Sequence, residues 1–275
     1  MHRDCECGFN KEELDSIVSG LKPTGFEPLP VELETTALLT TKKSRTCLVR
    51  DVGSGSSAYV LKLYRDSGRA RRESEVMCRL AHAGVSVPRP VGVGDYALLR
   101  PYVDGQVLRD SRLTAQACRE LARWLFNCHA ILSVDTGAAA LPEAAAGVPA
   151  TRVVWLVGDM NLGNFVIGAM DDRICGIDFG DTRKGDPYDD VGEGLMRILS
   201  HRAGFTRDRW DQGVAFVEEY GRHDGNVEHA LLRAEPAAAA AFSQMAIWRE
   251  DERMQRIAEV FPLLWREAIK NRRLP

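Results

Sequence analysis

The sequence predicts an α+β chain, β-rich in its N-terminal part and mainly helical in its C-terminal part. Three observations predict it. Residues 31–64 carry three short β-rich runs in quick succession. Residues beyond Asp190 read almost wholly as amphipathic helix. Between these regions, two apolar runs, Val153 to Val157 and Arg173 to Ile177, each end where an aspartate follows within two residues. Short β-rich runs that stop at an acid read as buried strands delivering a carboxylate to a rim.

Taken in order, Asn10 followed by Glu13 forms a capping box that opens a short helix to about Leu21. Glu34 to Leu39, Thr46 to Arg50 and Tyr59 to Tyr64 are the three strands. Arg69 to Ala83 is a helix whose apolar stripe runs Val76, Met77, Leu80 and Ala81, with Glu73 on the same face one turn earlier and Glu75 on the wetter side. Tyr96 to Leu99 is a strand entering a turn at Arg100 to Gly105. Thr114 to Leu132 is a strong helix ending near His129, which reads as a packed or capping histidine. The Ala-, Gly- and Pro-rich stretch 136–150 reads as a surface loop. Asp190 and Glu193 read as a second capping box. Helices then cover about 191–202, 207–222, 227–234 and Pro236 to Lys270, with Pro236 in a first turn and the alanine run after it a helix former.

With 275 residues and 45% hydrophobic content, the chain can bury one large core or two modest ones. A net charge of −3 argues against a nucleic-acid partner. No apolar run approaches the ~20 residues of a membrane span, and the N-terminus is too polar for a signal peptide. Seven cysteines, several inside apolar patterns, read as reduced thiols in a cytoplasmic protein. Cys5 and Cys7 lack the second pair that a closed zinc site needs and read as a solvated tail.

The chemistry concentrates in Gly158 to Asn164 and Ile177 to Asp181. Asp159 and Asn164 stand in the spacing D-x-x-x-x-N, and Asp178-Phe179-Gly180 follows one hairpin later, the turn falling at Ala169 to Asp172. A carboxylate and an amide oxygen suit a hard divalent cation whose remaining ligands are phosphates and water. A separate aspartate is then free to accept a hydroxyl proton. That set is what phosphoryl transfer needs.

These motifs, with the run Ile177 to Val191, resemble the kinase-like phosphotransferases, especially the aminoglycoside phosphotransferase and choline kinase group, from about residue 35 to about residue 200. The resemblance implies a bilobal protein-kinase-like fold: an N-lobe over residues 1–100, a hinge at 101–105 and a C-lobe over 106–275. It implies ATP and Mg2+ as co-substrate and cofactor, with Asp159 as base or acceptor-orienting group and Asn164 and Asp178 holding metal. Lys62, in a strand shaped like V-A-I-K, would reach the α and β phosphates with Glu73 as its partner. The Pro101 carbonyl and the Val103 N–H would meet adenine. The phosphate-covering turn would be Thr40 to Arg45, where Lys42 and Lys43 stand in place of glycines; the glycines at 53 and 55 precede a plain strand and no helix. The matching aspartate of the family, here Asp190, braces the catalytic loop.

The pattern also departs from the family. Val157 and Asn161 occupy places that often hold histidine, and position 161 carries no lysine as protein kinases commonly do. The short gap after Gly180 leaves no room for an activation segment. The interval of about fifty-five residues between hinge and Asp159 lacks the extra helices of aminoglycoside phosphotransferases, which argues against that acceptor and toward compact RIO-type or lipopolysaccharide-core kinases. The expected partner is a small-molecule or sugar hydroxyl. The rival readings are an atypical RIO-like protein kinase and a nucleotide-binding pseudokinase; completeness of the base, metal and lysine positions weighs against the second. For the cation missing at 161, the candidates are Lys42 with Lys43, and Arg183 with Lys184.

Overall fold

A computed structural model describes residues 11–30, 32–38, 44–53, 58–134, 152–168 and 173–272. Its contacts divide the chain into two compact units, Met1–Asp104 with Cys175–Gly180, and Gly105–Ile174 with Asp181–Pro275. The division falls inside the stretch read as a hinge, and the segment around Asp178 clusters with the first unit. Lys42, Lys43, the Cys5/Cys7 tail, the 136–150 loop and the Ala169 to Asp172 turn lie outside the described residues.

In the first unit, α1 (Lys11–Ser19) leads into β1 (Lys22–Pro23), then β2 (Leu33–Leu38), β3 (Ser44–Asp51), β4 (Ala58–Tyr64), α2 (Arg69–His82), β5 (Gly92–Val93) and β6 (Ala97–Pro101). The three expected strands are β2, β3 and β4, one end of a six-stranded sheet ordered β1-β5-β6-β4-β3-β2 with β2 at its edge. Its pairings are antiparallel, and Lys62 on β4 stands between Thr46 on β3 and Leu98 on β6. Strand alternation sorts β4 cleanly. Leu61 enters an apolar cluster with Leu14, Cys47, Val49 and Leu99, against which Tyr59 and Leu63 also pack. Val60, Lys62 and Tyr64, all buried, take the opposite face. On α2, Glu73, Val76, Met77 and Leu80 are buried while Glu75 and Arg79 are exposed, as the helical spacing predicts.

The second unit opens with β7 (Gly105–Val107) and a single 3-10 turn, Leu108–Asp110. It continues with α3 (Ala115–Ile131), β8 (Val154–Leu156), a second 3-10 turn at Leu162–Asn164, β9 (Phe165–Gly168), β10 (Ile174–Gly176, whose last two residues count with the first unit) and β11 (Arg183–Gly185). Four helices follow: α4 (Pro187–Ser200), α5 (Arg207–His223), α6 (Val227–Arg249) and α7 (Glu252–Arg272). Strands order as β10-β9-β7 and as the pair β11-β8.

Two readings need correction. Asp190 does not cap α4: Asp186 does, its carboxylate accepting from the Tyr188 N–H, with Pro187 in the first turn. Capping requires a residue outside the helix, and Asp190 sits a full turn inside it. Nor does Pro236 open a helix. α6 runs through it, and the break comes at Glu250, which adopts a left-handed conformation at φ 53°. Proline removes the bond to the Leu232 carbonyl, but Leu232 is exposed, and the buried stripe of Leu231, Ala234, Ala238 and Phe242 continues across the proline and holds both halves. The alanine run has a packing reason as well. A Cβ added at Gly192 on α4 would lie 2.4 Å from the Ala237 carbonyl carbon, so α4 and α6 approach backbone to backbone. No described helix is long and apolar enough to cross a membrane, and Cys47, Cys78, Cys118, Cys128 and Cys175 are free thiols.

Candidate active site

The first unit holds a buried charge cluster. The Lys62 ammonium donates to both oxygens of Glu73, at 3.2 and 3.1 Å, and to Asp178 Oδ1 at 2.7 Å. Glu73 is fully buried and Lys62 6% exposed, so the cluster holds only because every charge finds a partner. The Tyr64 hydroxyl also donates to Glu73, and the Phe179 N–H donates to it at 3.3 Å. Arg69, one turn before Glu73, donates to the Gly180 carbonyl at 2.7 Å. Helix α2 therefore grips Asp178-Phe179-Gly180 through main chain on both sides of the phenylalanine, which is itself fully buried.

Asp178 uses Oδ1 for Lys62 and for the Gly180 N–H at 3.0 Å. Burial works to raise its pKa, but the Lys62 charge and hydrogen bond and the Gly180 N–H outweigh it, leaving the carboxyl below the ordinary aspartate range. Burial likewise pushes the Tyr64 hydroxyl up, reinforced by Glu73, so tyrosine stays a donor. Arg100 lies buried in the same unit. Burial lowers its pKa against the opposing pull of Glu73 and Asp178. Its Nη1 donates to the Pro101 carbonyl at 3.2 Å, so one lone pair of that expected adenine acceptor is engaged. Val103, two residues on, is half-buried and follows the end of β6.

The second unit holds the Asp159 loop. Asp190, 1% exposed, accepts from the Val157 and Gly158 N–H groups at 2.6 and 3.1 Å and from His129 Nε2 at 3.0 Å; His129 Nδ1 meets the Tyr220 hydroxyl at 2.9 Å. Asp190 thus fastens the strand end that precedes Asp159. Gly158 has φ +85°, and a Cβ there would stand 2.1 Å from the Asp181 carbonyl oxygen, so only glycine fits. Asp159 Oδ1 accepts from the Asn161 N–H at 3.1 Å, and Asn161 Oδ1 from the Gly163 N–H at 3.0 Å. Asn164 Nδ2 donates to the Asp159 carbonyl at 3.2 Å, which turns its Oδ1 away from that bond.

Lys62, Glu73 and Asp178 are thus brought together in one unit, and Asp159 and Asn164 in the other. Sequence reasoning missed several partners. Arg197 on α4, 13% exposed, lies 3.5 Å from Asp159 Oδ1 and 2.7 Å from Glu193 Oε1. Burial raises Glu193, against Arg197, which lowers it. Arg109 lies beside the same loop, for a Cβ at Gly163 would be 3.2 Å from its Nη1. Arg197 and Arg109 are cations beside the Asp159 loop that the sequence reading did not name; Lys42 and Lys43 lie outside the described residues. Of the other pair, Lys184 lies over the Trp155 ring at 5.5 Å, and Arg183 reaches the Gly158 carbonyl of that loop at 3.5 Å. The available signal was the helical spacing of Glu193 and Arg197, an i, i+4 pair on the helix that Asp190 anchors.

Asp178, in the first unit, offers a carboxylate and Asn164, in the second, an amide oxygen, each a donor type that Mg2+ takes. No cluster of three or more His, Cys, Asp or Glu side chains able to hold a metal occurs among the described residues, so most ligands would come from phosphate and water.

Residues 42–139 match the phosphotransferase enzyme family that includes the aminoglycoside phosphotransferases, a span that stops short of Asp159. No curated protein matches the sequence. Among solved structures, an amicoumacin kinase in complex with AMP-PNP, Ca2+ and its antibiotic matches with TM-score 0.60 at 14% identity, covering 99% of this chain and 97% of its own. An ethanolamine kinase from Plasmodium vivax matches with TM-score 0.58 at 13% identity, covering 85% and 82%. A choline kinase from Cryptosporidium parvum matches with TM-score 0.57 at 10% identity, covering 95% and 96%. At these identities the likeness carries the fold, a β-rich N-terminal sheet followed by a helical C-terminal part.

Proposed function

We propose that this chain, which has the kinase-like phosphotransferase fold, moves the γ-phosphoryl group of Mg-ATP to a hydroxyl of a small molecule. The observation that carries the reading is the buried Lys62 ammonium shared between Glu73 and Asp178, with the Phe179 N–H fixed by the same Glu73. A fully buried ion pair is no efficient source of stability. It is an efficient way to hold one ammonium and one carboxylate in fixed positions.

In the proposed reaction the acceptor oxygen forms a bond to the γ-phosphorus. The bond from that phosphorus to the β–γ bridging oxygen breaks, its electron pair leaving with ADP. The acceptor proton passes to the Asp159 carboxylate. Arg197 and the Asn161 N–H hold that carboxylate in one orientation. Lys62 orients the phosphates, and Glu73 keeps Lys62 from collapsing wholly onto Asp178. Asp178 and Asn164 would hold Mg2+, which neutralises charge on the phosphate oxygens. Pro101 and Val103 would meet adenine through main chain, and Lys42 with Lys43 would lie over the phosphates.

The test is ADP formation by the full chain with Mg-ATP, alongside nucleotide binding by calorimetry, in the parent and in Asp159→Asn. The reading expects nucleotide binding kept and turnover lowered by at least a thousandfold in the variant. Binding without any turnover in the parent, across a metabolite extract as acceptor source, would favour a pseudokinase instead.

A further inference from the structure

Choline, ethanolamine and amino sugars are cations, and a pocket for them needs carboxylates or aromatic faces. The second unit presents the opposite chemistry. A cavity of about 330 Å³ is lined by Arg112, Arg202 and Arg209 with Leu113, Gln212 and a single acid, Asp208. Gln212 is 9% exposed and fixes the wall, donating to the Leu113 carbonyl at 2.8 Å and accepting from Arg209 at 2.6 Å. Arg209 also donates to the Arg202 carbonyl at 3.1 Å, so it stands as a fixed positive charge. Arg112 and Arg202 are exposed, and Asp208 is the acid that lines the cavity with them. Burial, then the charges of Arg209 and Arg202, hold the neighbouring His201 below the ordinary imidazole range.

The cavity is tied to the Asp159 loop by two short paths through the same unit. Residues 108–114 begin beside that loop, where Arg109 meets Gly163, and end in the cavity wall at Arg112 and Leu113. Helix α4 places Arg197 against Asp159 and ends at Ser200, and Arg202 follows two residues beyond that end. Both paths carry arginine at each end. On the first path Asp110 pairs with Arg109 at 3.6 Å, so Arg112 is the charge that reaches the cavity.

We propose that the acceptor is an anionic hydroxyl compound, and that Arg112, Arg202 and Arg209 hold its phosphate or carboxylate group in this cavity. The proposal rests on the phosphotransferase reading and adds its substrate class. Guanidinium groups suit either anion through paired N–H donors. A cationic acceptor would meet three arginines and one aspartate, which the site disfavours.

The test uses the full chain with Mg2+ and AMP-PNP present, so that nucleotide occupies its own site. Inorganic phosphate, D-glycerate and ethanolamine are titrated separately and followed by calorimetry. Saturable binding of phosphate or D-glycerate is expected, the stronger of the two telling phosphate from carboxylate, with none for ethanolamine. Arg112→Gln with Arg202→Gln is expected to weaken that binding at least tenfold, circular dichroism checking that the double variant is folded. Absence of anion binding, anion binding indifferent to the double substitution, or preferred binding of ethanolamine each overturns the proposal. Failure of AMP-PNP itself to bind counts instead against the phosphotransferase reading, because the anion titrations can be read without it.

Discussion

Lys62 and Arg202 are both cations next to a candidate reaction centre, yet they live under opposite rules. Lys62 is buried and fully committed to Glu73 and Asp178. Arg202 is exposed on the rim of a cavity whose lining carries three arginines and one acid, Asp208. In the first unit Lys62, Glu73 and Asp178 satisfy one another, which fixes geometry and leaves little freedom for variation. The second has left positive charge unspent, which is where a protein meets something that is not itself. Under the proposed function, the first is the part that would handle the nucleotide and the second the part that would set the acceptor.

The largest effect expected from breaking the comparison is at Glu73. Glu73→Ala leaves Lys62 and the Tyr64 hydroxyl without their shared carboxylate and frees the Phe179 N–H. Removing one partner of a buried pair costs roughly 3–5 kcal/mol, and urea unfolding is expected to show a loss of that size. Asp190→Ala is expected next, at about 3 kcal/mol, because two backbone N–H groups and His129 lose a buried acceptor together. Exposed rim arginines, by contrast, are expected to change stability by less than about 0.5 kcal/mol when replaced.

A smaller effect sharpens the contrast through pH. Asp178 is held below its ordinary range, so its contribution is fully present above about pH 4 and is lost as pH falls through the folded-state value. Glu193 is held above its range by burial. Its contribution is therefore present below about pH 4 and lost as pH rises through the raised value. Unfolding measured from pH 2 to pH 8 should then show Asp178→Asn growing more destabilising relative to the parent as pH rises to about 4, and level above it. Glu193→Gln should move the other way, gaining relative to the parent as pH rises. Parallel trends would mean the two carboxyls share one environment.

The smallest expected effect concerns Lys42 and Lys43. Replacing both with alanine is expected to lower turnover about 10–100-fold, one to three kcal/mol of barrier, with folding unchanged. Steady-state kinetics decides it, and unchanged turnover would mean these lysines only face water.

How legible each region was follows the same division. Lys62, Glu73 and Asp178 could be read from spacing, because a buried ion pair admits few residue types and strand and helix periods place them. The Asp159 and Asn164 spacing was legible for a similar reason: a tight loop braced by Asp190 has a fixed length. Tyr64 was not legible as a partner, since a tyrosine ending an apolar strand looks like any core aromatic until its hydroxyl finds Glu73. The arginine-lined cavity was invisible because Arg112, Arg202 and Arg209 come from a loop, a helix end and a helix start. No sequence period joins them. Pro236 misled for an energetic reason, a local breaker overruled by the buried stripe on either side of it.

The central claim is that Asp178, held low and fixed by Lys62, works with magnesium and nucleotide. ADP formation from Mg-ATP by the parent and by Asp178→Ala, at equal folded concentration, tests it most directly. The account predicts measurable turnover in the parent and at least a thousandfold loss in the variant, with the urea midpoint confirming that the variant is folded. Turnover unchanged by Asp178→Ala would contradict it.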